Sequence, residues 1–364
     1  MFIKKDLRKI PKILEDAIDC SSLGNDDDED PSTMGTEPRQ KRSKVEEPLS
    51  TLRLGRRQQE FQGSIQILCQ PRYLPKLQCL QNLNLYDCAI TTLDGIGVLQ
   101  ACPKLEILNL GRNPLTTLPD ELSCLSHSLK QLWMDDCQLT GPLPSCVVQL
   151  KQLQSFRASN NHLTHIPDTI TQLKRLQVLC LDRNPLESLP DDLYGLYQME
   201  ELYLRHTGIQ QLPRRLPTRN LKILHLSSNP LSDVDSLVST TSGSGNGLSE
   251  LTQLYLNGCQ LTRLPAGIVA NHPKLQRLVF SHNPPLMHAP MDVWHAIRGK
   301  ELVASTADIV WQPNPQLQEG VTEAQQDNHS ATPAKESSTL PASSFSSDDD
   351  DSMMMMEDVE HSKE

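Results

Sequence analysis

One pattern, L-x-x-L-x-L-x-x-N-x-L-x-x-L-P, recurs in nine registers along this chain, starting at Leu80, Leu105, Leu129, Leu153, Leu176, Met199, Leu221, Leu251 and Leu275. The spacings are 25, 24, 24, 23, 23, 22, 30 and 24 residues. The fullest copies are LQVLCLDRNPLESLPDDL at Leu176–Leu193 and LEILNLGRNPLTTLPDEL at Leu105–Leu122. A repeat this short closes no core by itself, so it must stack on its neighbours. Composition supports that reading. Of 57 leucines, 50 lie between residues 51 and 300, while aromatics make up 4% of the chain and hydrophobic residues 37%. A chain of 364 residues suggests two or three domains by length. Those apolar residues are too few for several separate cores, and one repeated leucine layer accounts for most of them.

Within L-x-L the side-chain period is two, so Leu108 and Leu110 are expected to point inward and Asn109 outward. The L-x-x-L-P segment brings the chain back along the other side, where proline tolerates the lack of a ladder partner. The asparagine position is filled by Asn113, Asn161, Asn184, Asn229 and Asn283, by Cys88, Cys137 and Cys259, and once by Thr207. These side chains suit a buried corner facing backbone polar groups.

The motifs resemble the leucine-rich repeat superfamily over about residues 77–290. The L-x-x-L-P ending and the period are similar to the intracellular repeats, including the plant Ras-group and Ras-pathway scaffold types. One segment, LTGPLP at Leu139–Pro144, is similar to the plant receptor variety. The resemblance implies an α/β solenoid: a curved horseshoe of about nine repeats with a parallel concave β-sheet.

Four segments are expected. Residues 1–76 form an N-terminal segment, partly disordered around Asp26–Asp30, in which Leu7–Leu14 and Leu49–Arg57 copy the repeat grammar and read as a divergent cap. Residues 77–290 are the solenoid, interrupted by a flexible Gly/Ser insertion at Ser239–Ser249. Residues 291–311 are the C-terminal cap, with Trp294 and Trp311 over the last leucine layer, and residues 312–364 are a disordered acidic tail. The tail carries 12 acidic and 2 basic side chains, so it holds −10 of the net −11. The nearly neutral remainder argues against nonspecific nucleic-acid binding.

No apolar run approaches the roughly 20 residues of a membrane helix, and charge interrupts the N-terminus too often for a signal peptide. The ten cysteines form no C-x-x-C pair and read as reduced corner and core thiols rather than metal ligands. The expected compartment is the cytoplasm, with the nucleus as a second. Lys41, Arg42 and Lys44 form a candidate nuclear-import cluster, within residues 31–57 that carry 7 basic and 3 acidic side chains. Ser346 and Ser347, each with an acid three residues on, are candidate phosphorylation sites.

No phosphate loop, nucleophile elbow or kinase signature is present, so no catalytic residue, cofactor or metal is expected. His162 and His165 are expected as solvated residues in the turn after a strand. Binding is the expected chemistry. The residue between the two strand leucines reads Asn84, Asn109, Trp133, Arg157, Cys180, Tyr203, His225, Tyr255 and Val279 down the array. Aromatics and arginine are enriched at interaction hot spots. The flanking columns add Asp135, Asp136, Asp182, Arg183, Arg205 and His206. Together these predict an intracellular, noncatalytic adaptor or scaffold holding a protein partner on the concave face. The alternative is a nuclear regulator similar to the acidic leucine-rich nuclear phosphoproteins, its tail engaging basic partners such as histones; the long uninterrupted acidic tract of that family is reduced here to Asp348–Asp351. The oligomeric state is open.

Overall fold

The computed structural model describes residues 49–56, 58–61, 63–68, 77–217, 219–238, 248–284, 286, 293, 295 and 303–305. The chain divides into two units, 1–312 and 313–364, and every described residue belongs to the first. Trp294, Trp311, the Gly/Ser run 239–247, the basic cluster Lys41, Arg42 and Lys44, and Ser346 and Ser347 lie outside the described residues.

The first unit is a solenoid built on an eleven-stranded parallel sheet. Its strands are β1 (Thr51–Arg53), β2 (Asn82–Asn84), β3 (Ile107–Asn109), β4 (Gln131–Trp133), β6 (Ser155–Arg157), β8 (Val178–Cys180), β9 (Glu201–Tyr203), β10 (Ile223–His225), β11 (Gln253–Tyr255), β12 (Arg277–Val279) and β13 (Val303–Ser305). Nine of them, β2 to β12 without β5 and β7, sit on the nine sequence registers. Two more extend the ladder: β1 pairs with β2 through Leu52 and Leu83, and β13 pairs with β12. The other two strands, β5 (Thr140–Pro142) and β7 (His162–His165), form a small parallel sheet on the return side. The LTGPLP segment supplies β5.

Register explains the core. From β1 to β12 each strand of this sheet contributes its central residue to one line, Leu52, Leu83, Leu108, Leu132, Phe156, Leu179, Leu202, Leu224, Leu254 and Leu278, and all ten are buried. Two residues further on, a second line runs from Leu54 through Leu85, Leu110, Met134, Ala158 and Leu181 to Phe280, also buried. Returns made of short 3-10 turns, such as Ile96–Ala101 and Asp120–Leu125, close the other side with Leu99, Leu122 and their equivalents. At about 1.5–3 kcal/mol per buried aliphatic side chain, this layer outweighs inter-repeat surface pairs such as Lys130–Glu106, worth about 0–1 kcal/mol. Strands sit about 4.8 Å apart, closer than the bulkier returns, so the stack curves toward the strand face.

One expectation about side-chain placement needs correction. His162 and His165 stand in β7 rather than in a turn, because Thr140 and Gly141 offer that segment a ladder partner. Both remain exposed, with His165 Nε2 3.1 Å from Glu187. Asn109 stands on the outward face as expected, in register with Asn84 and Trp133, but is only 7% exposed, and its Oδ1 accepts the Gly111 N–H at 3.0 Å.

Candidate functional site

The corner position comes first, because it fixes the strand face. Asn113 accepts the Cys88 and Ile90 N–H groups at 3.0 and 2.9 Å and donates to the Leu85 and Leu110 carbonyls at 2.9 and 2.7 Å. One amide therefore satisfies backbone groups of its own repeat and of the preceding one. Asn161, Asn184, Asn229 and Asn283 repeat the arrangement. Where cysteine stands instead, only a thiol donor remains, as from Cys137 to Leu110 O at 3.4 Å. Burial pushes these thiols up, Cys137 to about 12 and Cys259 to about 11, which makes them inert packing groups rather than nucleophiles.

The residue just before each corner takes positive φ: Arg112, Asp136, Asn160, Arg183, His206 and Ser228 lie between 54° and 58°. Their N–H groups continue the parallel ladder past the strands, as from Arg183 to Arg205 O and from His206 to Ser227 O. Three expected contact residues, Asp136, Arg183 and His206, are therefore carried outward on a repeated turn, and all three are exposed.

The sheet places Trp133, Arg157, Cys180, Tyr203, His225 and Tyr255 side by side in one register line. Each is half-buried. Tyr203 and His225 meet edge-on at 6.2 Å, and His225 and Tyr255 tilt together at 4.7 Å. The Tyr203 hydroxyl donates to Glu201 at 3.0 Å and the Tyr255 hydroxyl to Gln253 at 2.8 Å. These bonds fix the rings as a shelf. The indole N–H of Trp133 is enclosed and has no acceptor among the described residues.

Asp135 and Asp182 have a second engagement that the sequence did not reveal. Each carboxylate accepts a backbone N–H from the next repeat, Ser159 and Arg205 respectively, at 2.7 Å. Burial raises both carboxyls, Asp182 to about 6, against the lowering effect of those N–H groups and of nearby Arg157 and Arg205. They stitch repeats together as well as lining the face.

Two aromatic groups escaped the reading of the central column. Tyr86 lies on the same face two residues beyond Asn84, with the Arg112 guanidinium 5.6 Å above its ring. It shares the column of Asp135, Asp182 and Arg205, one step past each L-x-L, and extending that column to the first repeat is the signal that finds it. Tyr194 and Tyr197 lie on the return between β8 and β9, edge-on at 5.9 Å, beneath Arg215, Arg219 and Lys174. Tyr197 is 40% exposed. Basic residues about one repeat away on either side of DDLYGLY were the available signal. Among the described residues no group of three His, Cys, Asp or Glu side chains is placed to hold a metal, and no helix is long and apolar enough to cross a membrane.

Comparison with known proteins bears on the fold. Family models described as leucine-rich repeats match residues 80–127, 128–150 and 151–209. Comparison with curated protein sequences gives no match. Among solved structures, a leucine-rich repeat protein of Leptospira interrogans is 24% identical over 65% of this chain and 68% of its own, with a TM-score of 0.42. The plant peptide hormone receptor RGFR1, solved in complex with RGF2, is 21% identical with a TM-score of 0.54. That alignment covers 71% of this chain and 39% of the receptor, so this chain spans well under half of it. The leucine-rich repeat domain of APL1B is 22% identical over 64% of each chain, with a TM-score of 0.49.

Proposed function

We propose that this chain, which belongs to the leucine-rich repeat superfamily, is a noncatalytic adaptor or scaffold that holds a protein partner on its concave strand face. The observation that carries the reading is the line of half-buried Trp133, Arg157, Tyr203, His225 and Tyr255, presented in register across strands β4 to β11. The rings are braced from their own strands by Glu201 and Gln253. A shelf whose rotamers are already fixed loses little entropy on binding, which favours aromatic and arginine residues as contact anchors. Asp135, Asp136, Asp182, Arg183, Arg205 and His206 form the polar margin of this surface.

Affinity capture from cell lysate, comparing wild type with Trp133→Ala plus Tyr203→Ala, tests the proposal. Captured protein should fall at least tenfold for a variant that retains the wild-type circular dichroism spectrum. Equal capture overturns the concave-face reading. The acidic balance of residues 312–364 supports the second reading, a tail that engages basic proteins such as histones. Deleting 312–364 separates the two: salt-sensitive histone binding should disappear with the tail, and concave-face capture should persist.

A further inference from the structure

Hydrogen-bonding capacity at the centre of the strand face is unbalanced. The acceptor side chains are already engaged. Asp135 and Asp182 take backbone N–H groups, Glu201 and Gln253 take tyrosine hydroxyls, and Asp136 takes Asn160 Nδ2 at 2.6 Å with Arg112 Nε at 3.4 Å. The donors act on Asp135 and Asp182 only through charge at a distance. The guanidinium groups of Arg157, Arg183 and Arg205 make no ion pair among the described residues, whose inter-repeat pairs elsewhere include Arg215–Asp192 and Lys222–Glu200. On the strand beside Arg157, the Trp133 indole N–H also lacks an acceptor. Arg157 and Arg205 are half-buried, so part of their hydration is lost with no direct hydrogen bond among the described residues in exchange.

We propose that the occupant of this face is an extended protein segment bearing carboxylate side chains, which complete Arg157 and Arg205 while the segment lies along the Tyr203 shelf. The proposal rests on the concave-face reading above and adds the chemistry of the partner. Carboxylate matches the guanidinium fork and forms charge-assisted bonds roughly twice as strong as neutral ones. Spacing sets the motif. Arg157 lies in β6 and Arg205 just past β9, two strand steps away at about 4.8 Å each, and an extended segment crossing the strands advances about 3.4 Å per residue. Side chains alternate between faces along such a segment, so acids two or four residues apart, rather than adjacent ones, can meet the two arginines together. A continuous polyanion fits less well, because Asp135, Asp136 and Asp182 stand among these arginines and repel charge placed between them.

A random dodecapeptide library displayed on phage, selected on the full chain, supplies the probe. The selected peptides are then titrated against wild type, Arg157→Gln plus Arg205→Gln, Trp133→Ala plus Tyr203→Ala, and Arg215→Gln plus Arg219→Gln. The last pair removes the same charge from the return side. Each variant is first checked by thermal melting. The selected pool should be enriched in Asp and Glu over the unselected library. Affinity should fall about tenfold or more for the Arg157/Arg205 pair, recover in part with Arg157→Lys plus Arg205→Lys, and stay at the wild-type level for the Arg215/Arg219 pair. Peptides that need Trp133 and Tyr203 but carry no acidic enrichment and ignore Arg157 and Arg205 overturn the acidic-partner proposal and leave the concave-face reading standing. Peptides indifferent to all variants overturn both. An oligothymidylate of the same length that binds more tightly than the peptides, with the same arginine dependence, overturns the proposal in favour of nucleic acid.

Discussion

Asparagine and cysteine occupy the same corner of the repeat but do different amounts of bonding there. Asn113 serves two N–H groups and two carbonyls at 3.0 Å or less, whereas Cys137 offers one thiol donor at 3.4 Å. Asn113→Ala strands several buried backbone groups at about 1–3 kcal/mol each, so denaturant unfolding should show a loss of about 3 kcal/mol or more. Cys137→Ala removes a weak bond and little volume, and should cost about 1 kcal/mol. Equal losses would show that the corner stabilises by packing alone. Asp182 allows a test by pH. Its folded carboxyl titrates at about 6 because burial disfavours the charge, while the unfolded group titrates near 3.9. The folded state therefore binds the proton more tightly, and this group's contribution to stability falls as pH rises from about 4 to about 6. Asp182→Asn keeps an acceptor for the Arg205 N–H and removes the titration. The variant should match wild type near pH 4 and exceed it at pH 7 in urea midpoint. A constant difference across that range would refute the buried-charge account.

A repeat as an element consists of a strand and a return, and the two were not equally legible in the sequence. The strand could be read because L-x-L has period two and because every copy buries the same two positions, as Leu108 and Leu110 or Leu202 and Leu204 do. The returns vary in length and composition, and their contacts depend on which neighbour the chain meets. The β5–β7 pairing and the Tyr194–Tyr197 cluster were therefore hidden, although their residues were in plain view. The outer column of the candidate site was legible as a list but not as a set of engagements: nothing in the spacing shows that Asp135 reaches the Ser159 N–H, or that Asn109 is enclosed beneath its neighbours. Glycines on the returns separate backbone strain from packing. Gly141 has φ +74° with nothing within 4 Å of an added Cβ, so Gly141→Ala meets conformational strain alone and should cost about 1 kcal/mol. At Gly195 an added Cβ would stand 2.9 Å from Thr171 Cβ of the preceding return. Gly195→Ala must move that return and should cost about 1–3 kcal/mol. In a Thr171→Gly background, which lacks that Cβ, Gly195→Ala should cost much less in a thermal melt than in the wild-type background, and an equal cost would place the strain within residue 195 itself.

Across the whole solenoid, layers touch only their neighbours, and this predicts how damage spreads. At the first edge Leu52 and Leu54 are buried over the β2 layer, the Leu54 N–H donates to Asn84 O at 2.8 Å, and the Cys88 thiol donates to Leu54 O at 3.1 Å. Removing residues 1–57 uncovers Leu83 and Leu85 and leaves an open edge of a parallel sheet, which invites association with other chains. The shortened protein should bind a hydrophobic dye and associate as its concentration rises. In a nearest-neighbour stack the loss should fade with distance from the cut. Hydrogen exchange should then show β2 and β3 amides losing protection while the amides of Leu181 and Leu204, bonded to Tyr203 O and His225 O beneath the aromatic shelf, keep theirs. Uniform loss across the sheet would mean that the layers unfold as one cooperative unit. In that case the aromatic shelf on β4 to β11 would depend on the N-terminal edge rather than on the repeats that carry it.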